Sequence, residues 1–304
     1  MFFFCNIFYN THKFDFELLT YIEINNYLIS LAKMIITSAH HFKQSPQKII
    51  SLVPSQTELL YYFGLDNEVI GITKFCVHPQ EWFRAKTRVG GTKSLNIDLI
   101  KKLQPDLVIA NKEENVKEQI EELANEFNVW VSDVNNLEDA LLMIKDVGEL
   151  THKTTEAKTL ITQIKRNFSQ LLHKESFGQT TNYSKRSPLD KLQTTYLIWQ
   201  KPYMTIGGNT FINDMMKYCG LQNFFENRMR YPEITLNELR DSDCRLILLS
   251  SEPYPFKKKH IDKLKDILPD KKIILVDGEM FSWYGSRMLL APDYFNNLLK
   301  SLRQ

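Results

Sequence analysis

Lys48 to Phe63 reads K-I-I-S-L-V-P-S-Q-T-E-L-L-Y-Y-F, and no other stretch restricts the fold as much. Ile49 to Val53 is an apolar run of strand length, too short for a helix. Pro54 stops it. Ser55 and Glu58, placed ahead of Leu59, Leu60 and Phe63, have the spacing of a capping box. Gly64 supplies the stop. The stretch therefore predicts a strand, a tight turn and a capped helix. In an open α/β domain such a turn lies at the end of the sheet where ligands bind. Taken alone, it is equally the first β-α unit of any globular domain.

The same pattern repeats downstream. Glu68–Thr73 reads as a second strand, followed by the polar loop K-F-C-V-H-P-Q-E-W-F and by R-V-G-G-T-K-S. Gly90-Gly91 permits unusual backbone angles, and a simple turn explains it better than a phosphate loop. Asn96 caps a helix carrying Ile97, Ile100 and Leu103. Leu107–Ala110 is a buried strand, Val116–Phe127 a helix and Val129–Val131 a short strand. This alternation specifies a small α/β lobe with a largely parallel sheet. Residues 34–136 form that lobe, and M-I-I after Met34 is a candidate first strand.

From Leu137 to about Leu172 apolar residues recur at helical spacing: Leu137, Leu141, Ile144, Val147, then Ala157, Leu160, Ile164 and Phe168. Read as one helix, this spans on the order of 50 Å at ~1.5 Å per residue. It is either a strut between two lobes or two helices broken near Gly148. Residues 137–173 are assigned to this connecting helix and residues 174–304 to a second α/β lobe that opens on a polar loop, 174–193. Strands follow at Thr195–Trp199, Leu246–Leu249 and Ile273–Val276. Helices are expected after Asn209, at Leu236–Arg240, at Lys257–Ile267 and from Arg287 to Leu302.

Composition excludes several classes of function. With 38 basic and 36 acidic residues the net charge is +2, so neither nucleic acid nor an anionic membrane surface is indicated. No run approaches the ~20 apolar residues of a membrane span. Cys5, Cys76, Cys219 and Cys244 are far apart and form no C-x-x-C, which argues against a disulfide framework. Cys76 and His78 could share a metal, but no second pair accompanies them, and no metal site is assigned. Met1–Tyr9 is apolar but has no basic n-region and no small-residue cleavage site. Residues 1–33 are read as an extension of doubtful structure, or as lying ahead of a true start at Met34.

Chemistry concentrates after the strands, in K-F-C-V-H-P, G-G-T, W-Q-K-P-Y-M, M-R-Y-P-E, S-S-E-P-Y-P-F and D-G-E-M-F-S-W-Y-G-S-R. Taken singly, these aromatics are loop packing. Taken together, they outline a cleft for a large, flat or partly apolar ligand. G-x-S-x-G, G-x-G-x-x-G and G-x-x-x-x-G-K are absent. Glu252, Asp277 and Glu279 could act as paired carboxylates, and His78 as a general base. His78 has no partner visible in the sequence. A glutamate within hydrogen-bond reach of it across the cleft would favour catalysis.

I-I-S-L-V-P-S-Q-T-E-L-L, L-N-I-D-L-I-K-K-L-Q-P-D-L-V-I-A and the loop spacing in both halves resemble the helical-backbone (class III) substrate-binding proteins of ABC importers. These bind cobalamin, haem or ferric siderophores, and the resemblance runs from Ile49 to Leu302. It implies two Rossmann-like lobes with mostly parallel sheets, joined by one long α-helix, with the ligand between them. It is nearest the cobalamin-binding branch. On that branch the ligand-lining positions fall on Phe75, Thr92, Met204 with neighbouring Tyr203, Tyr231, Glu279 with Phe281, and Trp283. Thr92 stands where that branch has a large aromatic, and Trp283 where it has a basic residue. The pocket stays aromatic, which favours a corrinoid or other tetrapyrrole over an anionic siderophore, for which arginines are needed.

Docking to a permease with its ATPase is implied at Asp98 and, in the second lobe, at Glu238 beside Asn237. The resemblance further implies a monomer with no cofactor of its own, in the periplasm or cell envelope. If the absence of a signal peptide is real, the compartment is the cytoplasm. The alternatives are an intracellular α/β enzyme acting on a tetrapyrrole-like ligand and a carrier with no transport role.

Overall fold

Pro54 begins the first helix rather than ending the turn before it. A computed structural model describes residues 35–36, 45–174 and 192–303. In it the buried strand Ile49–Ser51 leads through Leu52 and Val53 into a helix at Pro54–Tyr62. Proline at the first helical position loses nothing, because its missing N–H would have had no intrahelical partner. The expected Ser55–Glu58 capping box does not form. Ser55 is buried inside the first turn, Val53 precedes the helix without a side-chain cap, and Glu58 reaches out to Arg287. Gly64, at φ +70°, ends the helix as expected.

The first lobe runs β1 (Ile35–Ile36), β2 (Ile49–Ser51), α1 (Pro54–Tyr62), β3 (Val69–Ile72), α2 (Gln80–Ala85), β4 (Thr87–Arg88), β5 (Gly90–Gly91), β6 (Ser94–Leu95), α3 (Ile97–Leu103), β7 (Leu107–Asn111), α4 (Lys117–Ala124) and β8 (Val129–Ser132). Its six-stranded sheet is parallel throughout, in the order β1-β8-β7-β2-β3-β4. Asn96 caps α3, accepting from the Leu99 amide at 3.0 Å.

The helical stretch between the lobes becomes α5 (Leu137–Leu150) and α6 (Thr154–Lys174). The 21-residue α6 is the long one, about 30 Å at ~1.5 Å per residue. The break falls at 151–153, where His152 takes a left-handed φ of +57°. Gly148 serves the crossing instead. A Cβ there would lie 2.4 Å from Ala157 Cβ, so its absence lets α6 fold back closely onto α5.

The second lobe holds β9 (Gln193–Trp199), β10 (Tyr203–Thr205), α7 (Phe211–Tyr218), β11 (Gln222–Asn223), β12 (Glu233–Ile234), α8 (Leu236–Arg240), β13 (Leu246–Ser250), α9 (Lys258–Ile267), β14 (Lys272–Val276), α10 (Glu279–Ser282), a 3₁₀ turn at Ser286–Leu289, and α11 (Ala291–Arg303). Its order is β12-β10-β9-β13-β14, with β11 also beside β9. Strands β9, β13 and β14 are parallel, while β10 and β12 are antiparallel additions at one edge. The fold is therefore the expected two-lobed α/β. The extension 1–33 and most of the polar loop 174–193 lie outside the described residues. Thr210, not Asn209, caps α7.

Strand periodicity divides the core. Ile49, Leu107, Ile109, Leu246 and Leu248 face inward to one cluster that also takes Ala140, Ile144 and Val147 of α5, Leu160, Ile164 and Phe168 of α6, and Phe295 of α11. Their alternates face outward: Ile50, Val108 and Ala110 onto α3 and α4, and Leu197, Ile247 and Leu249 onto α9. One apolar core is thus shared by both lobes and the connecting helices. Sliding the lobes past each other would expose it, which limits their relative motion.

Candidate inter-lobe cleft

The parallel strands deliver their following loops to one edge of each sheet, and those loops meet between the lobes. Two polar ties cross the gap. In the first, Arg287 of the 3₁₀ turn makes a two-bond contact with Glu58 of α1, at 2.9 and 2.5 Å, and reaches Glu279 at 2.8 Å. Glu279 Oε1 lies 3.2 Å from His78 Nε2, across from the first lobe. The Trp283 ring lies under the Arg287 guanidinium at 4.9 Å and 5.5 Å from the imidazole. In the second tie, Arg230 pairs with Glu113 and donates to Asn135 at 3.1 Å, while the Tyr231 hydroxyl donates to Glu113 at 2.6 Å. Arg230 sits at φ +56°, a conformation that costs a side-chain-bearing residue ~1–3 kcal/mol. Bonds from its amide to Asn209 and to its carbonyl from Gly207, at 2.6 and 2.7 Å, hold it there and send the guanidinium across the gap.

Two half-buried carboxylates lie in the loops that follow β7 and β13. Glu252 Oε1 accepts from Ser282 and, at 2.9 Å, from the Trp283 indole. Burial pushes its pKa up to about 7, in spite of the Ser282 bond. Glu114 is raised too, first by desolvation, against the opposing charge of Lys93. Tyr231 is raised by burial and then by Glu113.

The residues expected from sequence separate into groups. Phe75 is half exposed, with the Lys74 ammonium 5.2 Å from its ring centre. Its ring edge lies where a Cβ on Gly91 would be 3.2 Å away, so the Gly-Gly turn makes room for it. Thr92 is buried, its carbonyl held by Asn115 at 3.1 Å. Tyr231, Glu279 and Trp283 belong to the two ties. Met204 packs on the shared core. Tyr203 is a correction. Adjacent strand residues point to opposite faces, and Tyr203 turns to the outer cluster, where its hydroxyl accepts from Gln200 at 2.9 Å. Phe281 is a second correction. It is 0% exposed, with its ring 4.8 Å from Phe295 and 5.3 Å from Tyr196, so it belongs to the core.

Asp98 is exposed in the first turn of α3. Glu238 caps α8 in a box with Thr235 and pairs with Arg228, and Asn237 accepts from Arg240. Cys76 lies in the core. It is 0% exposed between Thr57 and Thr73, and burial raises its thiol. Among the described residues no group of three or more His, Cys, Asp or Glu side chains is placed to hold a metal.

The profile of the periplasmic binding protein family matches residues 49–267. The chain belongs to that family. Relatives similar over most of its length include the vitamin B12-binding protein of Pectobacterium carotovorum, 23% identical, covering 84% of this chain and 90% of that protein. The vitamin B12-binding protein of Photorhabdus laumondii is 24% identical, covering 87% and 92%. Among solved structures, the periplasmic vitamin B12-binding protein of Vibrio cholerae superposes with a TM-score of 0.68 at 18% identity, covering 85% of this chain and 98% of that one. The periplasmic haem-binding protein of Roseiflexus sp. RS-1 gives 0.67 at 18%, covering 84% and 99%. These relatives are binding proteins. At such identities the structures establish the two-lobed fold.

In open α/β sheets the crevice outside the carboxyl ends of the strands is the general place for a ligand. Sequence reasoning missed Glu58, Glu113, Glu114, Arg230 and Arg287 as parts of it. Glu113 and Glu114 lie two and three residues past the end of the buried strand β7, a position that could have drawn attention to them. Glu58 was hidden by its fit to a cap. The His78–Glu279 contact is the pair named above as the sign of catalysis, but Glu279 is already engaged by Arg287, so the pair is also one link of a lobe-to-lobe tie.

Proposed function

We propose that this chain is the substrate-binding protein of an ABC importer, taking a corrinoid or related metal chelate between its lobes and delivering it to a permease. The observation that carries this reading is the meeting of His78 and Glu113 from one lobe with Glu279, Trp283 and Tyr231 from the other, with Phe75 exposed in the same loop as His78, in a chain of this family. Flat aromatic surface supplies apolar burial, at ~25 cal/mol per Å² as an upper guide. The carboxylates orient the ligand's polar edge. The relatives named for vitamin B12 and haem support a tetrapyrrole-like ligand. Asp98 and Glu238, one on each lobe, are the proposed contacts with the permease. The protein works as a monomer in the cell envelope. No metal of its own is required, since the metal arrives within the ligand.

The test is a visible-band titration of the full chain with cobalamin, cobinamide and haem, with a ferric siderophore as control. Saturable binding is expected for a tetrapyrrole, weakened about tenfold in Tyr231→Ala, the equivalent of ~1.4 kcal/mol. Failure of all of them to bind would remove the ligand assignment. The His78–Glu279 contact favours a second reading, an enzyme acting on the same ligand class. Recovery of the bound ligand chemically unchanged after prolonged incubation would exclude it.

A further inference from the structure

The charges in the cleft do not cancel evenly, and this inference rests on the inter-lobe reading above. Both arginines of the ties are committed: Arg230 to Glu113 and Asn135, Arg287 to Glu58 and Glu279. Two carboxylates are left over. Glu114 lies in the loop after β7, next to Glu113, which takes Arg230 and Tyr231 across the gap. No hydrogen-bond donor reaches its carboxylate among the described residues, and Lys93 opposes its charge while donating to the Glu113 carbonyl. Glu252 receives both of its bonds, from Ser282 and Trp283, on Oε1, and Oε2 has no donor. These oxygens are not sealed voids. Among the described residues the buried side-chain atoms without a partner are Gln56 Oε1 and Ser286 Oγ. The free carboxylate oxygens therefore reach solvent, in the loops that follow β7 and β13 at the facing strand ends.

We infer that Glu114 and Glu252 are the specificity residues of the cleft: they accept N–H donors from a ligand edge carrying amides or positive charge, and they turn away an edge carrying carboxylates. A half-buried carboxylate without a protein donor gains a charge-assisted bond from an amide or ammonium that displaces the water on it. A ligand carboxylate brought to the same place finds no uncommitted guanidinium there and meets like charge in a medium that screens it poorly. The lysines that could oppose this, Lys74 and Lys93, are exposed, one over the Phe75 ring and one on the Glu113 carbonyl. They can take a ligand's outward-facing anionic group without relieving repulsion further in. Of two metal chelates of similar size, the amide-fringed cation is selected over the carboxylate-fringed anion.

The experiment uses the full chain with three probes: diaquacobinamide (cationic and amide-fringed), haem (two carboxylates) and haem dimethyl ester (the same ring without the charges). Each is titrated at pH 8 by its visible band. Cobinamide is expected to bind at least tenfold more tightly than haem, and the ester more tightly than haem. In Glu114→Gln and Glu252→Gln, which keep the shape and remove the charge, haem should gain about threefold to tenfold and cobinamide should lose as much. Far-ultraviolet dichroism and melting confirm that each variant is folded. Haem binding as tightly as its ester and cobinamide, with both variants unchanged, would overturn this inference and leave the metal-chelate reading standing. No binding of any probe would overturn both.

Discussion

Arg287→Met removes the charge that joins α1 of the first lobe to the 3₁₀ turn of the second. The Arg287 side chain is 10% exposed, and the two acids it serves, Glu58 and Glu279, are 20% and 21% exposed. Methionine keeps apolar bulk against Trp283 but leaves both carboxylates without their guanidinium, Glu279 retaining only His78. Stripping one partner from a buried ion pair costs ~3–5 kcal/mol, because the remaining charge is stranded. With about a fifth of each acid still reaching solvent, the lower end applies, about 3 kcal/mol. Equilibrium urea unfolding at pH 7.5 measures the loss directly, read as a shift in midpoint at constant slope. The control is the triple variant Arg287→Met, Glu58→Gln, Glu279→Gln, in which no charge is stranded; it should recover to within about 1 kcal/mol of wild type. A loss below about 1 kcal/mol in the single variant, or no recovery in the triple, would refute the claim that this pairing holds the lobes together.

Two further outcomes follow from the buried groups. Glu252 has a folded pKa of about 7 against an ordinary 4.5, so the folded protein retains a proton that the unfolded chain releases earlier. Stability should therefore fall as pH rises from about 4.5 to about 7 and stay flat above, by up to about 3 kcal/mol at ~1.4 kcal/mol per pKa unit; Glu252→Gln should remove that slope in melts taken from pH 4 to 8, and an identical slope in the variant would contradict the assignment. Phe281→Ala opens a cavity among Tyr196, Tyr294 and Phe295 and should cost about 3–5 kcal/mol of stability. It should leave the affinity for cobinamide within about threefold, and a large loss of affinity in a variant that remains folded would return Phe281 to the cleft wall.

The lobes were legible because burial leaves a local record. A strand covered by helices on both faces must be apolar throughout, and Leu107–Ala110 and Leu246–Leu249 show it without any knowledge of their neighbours. The helical stretch was visible by its period, and a break near Gly148 was one of its two readings; the place of the break was not legible, since the left-handed turn at His152 comes with the packing of α6 against α5 at Gly148. Among the proposed cleft residues, Phe75, Tyr231 and Trp283 stood out by their aromatic loops. Tyr203 and Phe281 carry the same residue types in the same neighbourhoods, and only strand register and core depth set them apart from the cleft.

What the chain determined by itself is the succession of strands, turns and helices, and with them the two α/β lobes and the edge where their loops collect. These depend on apolar periodicity and on proline and glycine, whose effects reach only a few residues along the backbone. What tertiary structure alone decided is which charges meet. Glu58 and Arg287 are 229 residues apart, His78 and Glu279 are 201, and Glu113 and Tyr231 are 118. A carboxylate reads the same in sequence whether it caps a helix, ties two lobes or waits without a donor. Its role is set by the burial and the partner that folding brings to it, because desolvation and Coulomb attraction act through space and not along the chain.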